Sequence, residues 1–187
     1  MFIQTEVTPN PSVIKFLPGQ VVLEKGTAEF QSAEDAGLAP LAQRLFALQG
    51  VEQVFFGRDF ISVSKADDTD WSVLKPMVLG GLMEHFSMGQ PVVLPAYFEG
   101  QGVEVSEDDE ISAQIRELIE TRVRPMVAMD GGDIEFESFD DEGVVWLRMR
   151  GACAGCPSST MTLKSGIENM LKHFIPEVEE VRSVQDY

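Results

Sequence analysis

The sequence predicts an α/β (α+β) chain built as two small domains, each a small sheet packed with helices. Three observations lead there. A length of 187 residues corresponds to about 1.2 domains of typical size, which leaves one large domain or two small ones open. Runs with the period of a strand and runs with the period of a helix recur in both halves of the chain. Between them, residues 87–105 read SMGQPVVLPAYFEGQGVEV, with Pro and Gly spread through the stretch and no clear period. The expected division is therefore a first domain over 1–86, a linker over 87–105 and a second domain over 106–187.

Taken in order, the first domain opens with extended stretches at Phe2–Val7, Ser12–Phe16 and Val21–Leu23, set apart by Thr8-Pro9-Asn10-Pro11 and Pro18-Gly19 as turn signals. Leu38, Leu41, Ala42, Leu45 and Phe46 repeat at helical spacing. Val51–Phe56 and Phe60–Ser64 flank Gly57-Arg58-Asp59 as a hairpin. Trp71, Leu74, Val78 and Leu82 mark a second helix, in which Pro76 predicts a kink or a late start. The linker carries Val92, Val93, Leu94, Tyr97 and Phe98, more apolar surface than a free tether tolerates, so part of it is expected to pack against one of the domains.

In the second domain, Ser106 with Asp109 resembles a capping box, and Ile111, Ile115, Leu118, Ile119, Val123 and Met126 follow at helical spacing. Pro125 is expected to bend or end that helix, and Gly131-Gly132 to stop it. Ile134 and Phe136 alternate with Glu135 and Glu137, and the acidic turn Asp140-Asp141-Glu142-Gly143 leads into a second strand. There Val145, Leu147 and Met149 face one way while Trp146, Arg148 and Arg150 face the other, as suits a sheet covered on one side by helices. A last helix presents Leu163, Ile167, Met170, Leu171 and Phe174; Pro176 ends it, and Val178–Val184 suit a terminal strand.

Charge and cysteine usage narrow the function. The net charge is −17, with six basic against thirteen acidic residues before position 106 and eight against eighteen from there on, so both halves repel phosphate backbones and anionic lipid. Nucleic acid and membrane are poor partners for such a chain. A hydrophobic fraction of 44% with twelve Phe is nonetheless too apolar for a disordered acidic chain. The opening MFIQTEVTPN has neither a basic region with an apolar core nor an Arg-rich leader. The expectation is a bacterial cytoplasm, or a mitochondrial matrix if a leader was removed.

Both cysteines, Cys153 and Cys156, lie in one C-x-x-C, in Gly151-Ala152-Cys153-Ala154-Gly155-Cys156-Pro157. Pro157 suits the first position of a helix, which sets Cys156 at or beside its N-cap and turns free N–H groups and the positive dipole end toward the sulfurs. That geometry is expected to favour thiolate. Arg150 adds positive charge if it turns toward them; by strand alternation it equally well points to solvent. Gly151 and Gly155 leave the backbone free to turn tightly round a bound group.

Three readings compete. Two small residues in a turn are one. A thiol–disulfide oxidoreductase is another, although a thioredoxin-like fold needs a further sheet segment and a cis-Pro loop after its active-site helix, and only 31 residues follow Cys156. The third is metal. A zinc or an iron–sulfur cluster usually takes four ligands and one chain offers two thiolates, so a homodimer with its loops facing would hold one cubane cluster, or one zinc, across its two-fold axis. His85 and His173 read as ordinary helix-terminal residues. Met129-Asp130-Gly131-Gly132-Asp133 lacks a phosphate-loop pattern and reads as helix stop and strand start.

Together these residues carry a resemblance. Arg124-Pro125 through Met129-Asp130-Gly131-Gly132-Asp133, two strands, then Gly151–Ser159 with its C-x-x-C resemble the NifU-like C-terminal domain of iron–sulfur cluster carriers. Phe2-Ile3-Gln4-Thr5-Glu6 with Thr8-Pro9-Asn10-Pro11, Phe56-Gly57 and Trp71-x-x-Leu74-Lys75-Pro76 are similar to the N-terminal domain joined to it in Nfu-type proteins. The resemblance implies a homodimer carrying one bridging [4Fe-4S] cluster on Cys153 and Cys156 of each subunit. It implies a carrier or scaffold, not an enzyme, that takes clusters from upstream assembly proteins and delivers them to apo iron–sulfur proteins.

Overall fold

The computed structural model describes residues 2–99, 110–154 and 157–184, with side chains from Thr160 onward in the last segment. The chain separates into two compact units, Met1–Val103 and Glu104–Tyr187. Both mix helices with a sheet, the α+β architecture that the two interleaved periods predict.

The first unit is built on a five-stranded antiparallel sheet of order β1-β2-β5-β4-β3, from β1 (Gln4–Val7), β2 (Val13–Leu17), β3 (Ala28–Phe30), β4 (Val51–Phe56) and β5 (Ile61–Lys65). The β1–β2 turn is held by its own polar groups: the Thr8 hydroxyl donates to the Asn10 carbonyl at 2.8 Å and the Asn10 side-chain oxygen accepts from the Ser12 N–H at 3.0 Å. Two helices, α1 (Pro40–Phe46) and α2 (Trp71–Ser87), supply Leu41, Leu45, Leu74, Val78 and Leu82 to a core shared with Phe16, Phe30, Phe56 and Ile61. Helix α2 starts where the Asp70 carboxylate accepts the Ser72 N–H at 2.7 Å, and it runs on through Pro76, which only forgoes the bond to the Ser72 carbonyl.

One expectation for this unit is corrected. Val21–Leu23 forms no strand; the Val22 and Leu23 N–H groups both donate to the Arg58 carbonyl, at 2.7 and 3.2 Å, which buries the two side chains without a ladder. The third strand is instead Ala28–Phe30, on β4. Part of the stretch expected as linker lies on this unit: the Leu94 N–H donates to the Leu38 carbonyl at 2.7 Å, Val93 enters the core, and Tyr97 in α3 (Ala96–Glu99) sets its ring 5.4 Å from that of Phe30.

In the second unit β6 (Gly132–Phe139), β7 (Val144–Gly151) and β8 (Glu180–Ser183) form a sheet of order β6-β7-β8, β6 antiparallel and β8 parallel to β7. The parallel pair requires a crossover, and α6 (Pro157–Phe174) is that crossover. Alternation along β7 is as read: Val145, Leu147 and Met149 are fully buried against Ile134, Ile167 and Leu171, while Arg148 is exposed. The Ser106–Asp109 capping box lies outside the described residues. Helix α4 (Glu110–Leu118) leads into a π turn at Ile119–Val123 and then α5 (Arg124–Met129). Pro125 accounts for the wide turn: it has no N–H for the Thr121 carbonyl and its ring would strike that carbonyl in an α-helix, so the Arg124 N–H reaches back to Ile119 instead. The Thr121 hydroxyl, donating to the Glu117 carbonyl at 2.7 Å, relaxes the same turn.

Candidate functional site

Strand β7 ends at Gly151, whose φ of 61° is a left-handed conformation that a side chain resists. The chain therefore turns sharply into Ala152 and Cys153, and three bonds hold the turn. The Ala152 N–H donates to the Gly131 carbonyl at 3.2 Å, the Ala154 N–H to the Gly151 carbonyl at 3.1 Å, and the Thr160 hydroxyl, from the first turn of α6, to the Cys153 carbonyl at 3.3 Å. The helix opens at Pro157, as its sequence predicts. Cys156 and Gly155 lie outside the described residues, so of the two expected ligands the structure describes Cys153 alone.

Cys153 is a free thiol, 8% exposed, seated in the core of its unit. The expected stabilisation of its thiolate is corrected. Burial, followed by the negative charge of Asp130 and of Asp133, pushes the thiol up to about 12. The sulfur lies in the apolar core of its unit, where loss of hydration disfavours the charged form. Arg150 does not offset the two carboxylates, because its guanidinium pairs with Glu135 at 2.9 Å.

Two features of this site escape sequence reasoning. Gly132 lies directly against Cys153: a Cβ there would overlap the Cys153 sulfur and come within 2.9 Å of both the Arg150 carbonyl oxygen and the Cys153 nitrogen. Asp133, 4% exposed, accepts two bonds from the Arg124 guanidinium, at 2.8 and 2.7 Å, and one from the Ile134 N–H at 2.9 Å. Asp133 holds the Arg124 guanidinium above its ordinary range. The available signal was an acid placed immediately after two glycines at the head of a strand, with an Arg nine residues before it.

Both histidines lie in the last turn of a helix. His173 ends α6 with its ring 5.1 Å from that of Phe174, an ordinary helix-terminal position. His85, in the last turn of α2, is in addition fully buried; burial followed by the Arg44 charge lowers its pKa, and the backbone of Pro91 and Gln90 acts the other way. Among the described residues, no group of three or more His, Cys, Asp and Glu is arranged to hold a metal. No described helix is long and apolar enough to cross a membrane.

Two family models match this chain, one described as the scaffold protein Nfu/NifU N terminal over residues 3–89 and one as the NifU-like domain over residues 115–182. NifU-like protein 4, mitochondrial, of Arabidopsis thaliana is 51% identical over 189 residues, covering 100% of this chain and 67% of that protein. The human NFU1 iron-sulfur cluster scaffold homolog, mitochondrial, is 48% identical over 187 residues, covering 100% of this chain and 73% of its own. A solved NifU-like protein from Saccharomyces cerevisiae matches with a TM-score of 0.46 at 25% identity, covering 50% of this chain and 84% of that one. With both models matched in order and relatives near half-identical over the whole of this chain, the chain belongs to the Nfu/NifU family.

Proposed function

We propose that this protein is an iron–sulfur cluster scaffold and carrier, in which Cys153 and Cys156 of two chains together hold one [4Fe-4S] cluster that is then passed to apo iron–sulfur proteins. The observation that carries the reading is the ligand count of the sequence. One C-x-x-C per chain provides two thiols where a cluster takes four, in a family whose relatives are named as iron–sulfur cluster scaffolds. A cluster bridged by two short loops has no enclosing cavity. Its edges stay open to incoming thiolates, which replace the donor's one at a time, so release follows from where the ligands sit.

The protein acts without substrate turnover of its own. The mitochondrial names of the plant and human relatives favour the matrix over a bacterial cytoplasm as its compartment. The rival reading is a thiol–disulfide oxidoreductase that uses the same C-x-x-C pair. Anaerobic reconstitution with iron and sulfide tests the two. Four iron per two chains with thiolate-to-iron absorption, lost in Cys153→Ser and in Cys156→Ser, and transfer to an apo-acceptor are the expected results. A monomer that reduces disulfides and takes up no cluster would overturn the carrier.

A further inference from the structure

We propose that Arg124 and Asp133 are a positioning pair for Cys153, setting where its sulfur stands when a cluster is held. This rests on the reading of Cys153 as a cluster ligand and adds the residues that act through it.

The contact path is short. The Arg124 guanidinium grips both oxygens of Asp133, on the edge strand β6. The two residues before Asp133 are the ones that touch the cysteine turn: Gly132 abuts the Cys153 sulfur, and the Gly131 carbonyl holds the Ala152 N–H. A shift of Asp133 along β6 therefore shifts the wall and the anchor of Cys153 together. Elsewhere on the sheet an exposed pair suffices, as between Arg148 and Glu137, with side chains 45% and 41% exposed. At this position the carboxylate is 6% exposed. Burying an ion pair gains little stability over well-packed apolar residues; what two parallel bonds between planar groups supply is a fixed geometry. The π turn serves the same end. One extra residue in the helix rotates the downstream residues by about 100°, and the first residue after it is Arg124.

The test compares Asp133→Asn with Glu137→Gln, which removes the exposed pair of the same sheet. In cluster-free protein, the nuclear Overhauser contact between the Gly132 Hα and the Cys153 Hβ protons is expected to weaken in Asp133→Asn and to persist in Glu137→Gln. After reconstitution, Asp133→Asn is expected to alter the visible circular dichroism of the cluster and to release iron to EDTA about 10-fold faster than wild type, the scale seen when a ligand's supporting partners are removed. Glu137→Gln should match wild type in both. Should Asp133→Asn fail to fold, Arg124→Lys, which keeps the charge but loses the fork, is expected to move the same two readouts in the same direction. Unchanged contact and dichroism in the folded variant, or equal changes in Glu137→Gln, would overturn the positioning role. A wild-type chain that takes up no cluster would instead sink the carrier reading, and the cluster-free contact would still decide whether the pair positions Cys153.

Discussion

An alanine at position 132 would set its methyl carbon onto the Cys153 sulfur and press on backbone atoms of Arg150 and Cys153 at 2.9 Å. Backbone gives way less readily than a side-chain tip, so either the cysteine turn or the head of β6 must move. Gly132→Ala is expected to cost about 1–3 kcal/mol, as overpacking of a close-packed site does, and to lower the iron bound per chain after reconstitution, read by thermal melting and iron assay. The control is on the same unit. A Cβ at Gly166, inside α6, would meet nothing within 4 Å, so Gly166→Ala should stabilise by up to about 1 kcal/mol through helix propensity and leave iron uptake unchanged. A loss of iron equal in the two variants would mean that Gly132 matters for folding and not for Cys153. Neither glycine can be ranked from the sequence, because the reason for one is a contact across a strand pair and the other has none.

Elements with a clear period were legible from sequence: β7, α6 and β8 follow the apolar spacing that names them, β6 does so up to the register shift between Phe136 and Ser138, and Cys153 lies between β7 and α6 as read. Failures came where backbone bonds outside a ladder bury a segment, as the Arg58 carbonyl does for Val22 and Leu23, or where a strand is three residues long, as β3 is. The end of α2 is a further case. His85 sits where helical spacing asks for an apolar residue, and Arg44 of α1 is the charged group whose field reaches its ring from the packed elements; Glu84, beside it on α2, pairs with that Arg44 at 2.6 Å. Because the folded pKa lies below the ordinary 6.5, the unfolded chain binds the proton more readily. The stability contribution is thus whole above the unfolded value and is lost as pH falls below it toward the folded one, by up to about 1.4 kcal/mol per pH unit. Wild type should lose more stability between pH 7.5 and 5.5 than His85→Phe, measured by denaturant titration of both proteins. Equal losses would mean that the imidazole titrates freely in the folded protein.

The charge of the whole molecule acts against the proposed pairing of two chains. Each chain carries −17, and the residues from 106 on, where both cysteines lie, hold ten more acids than bases. Bringing two such units together sets like charges against one another over the roughly 10 Å at which 0.1 M salt screens them, so in the proposed dimer the thiolate–iron bonds of the shared cluster work against that repulsion. Salt should then favour the loaded pair. Between about 25 mM and about 300 mM sodium chloride, where screening shortens from roughly 20 Å to under 10 Å, the dissociation constant of the reconstituted dimer, followed by sedimentation, is expected to fall several-fold, while the unloaded chain changes little. A dissociation constant that rises with salt would show that the two chains meet through complementary charges. The acidic surface would then be a docking feature and not an obstacle to pairing.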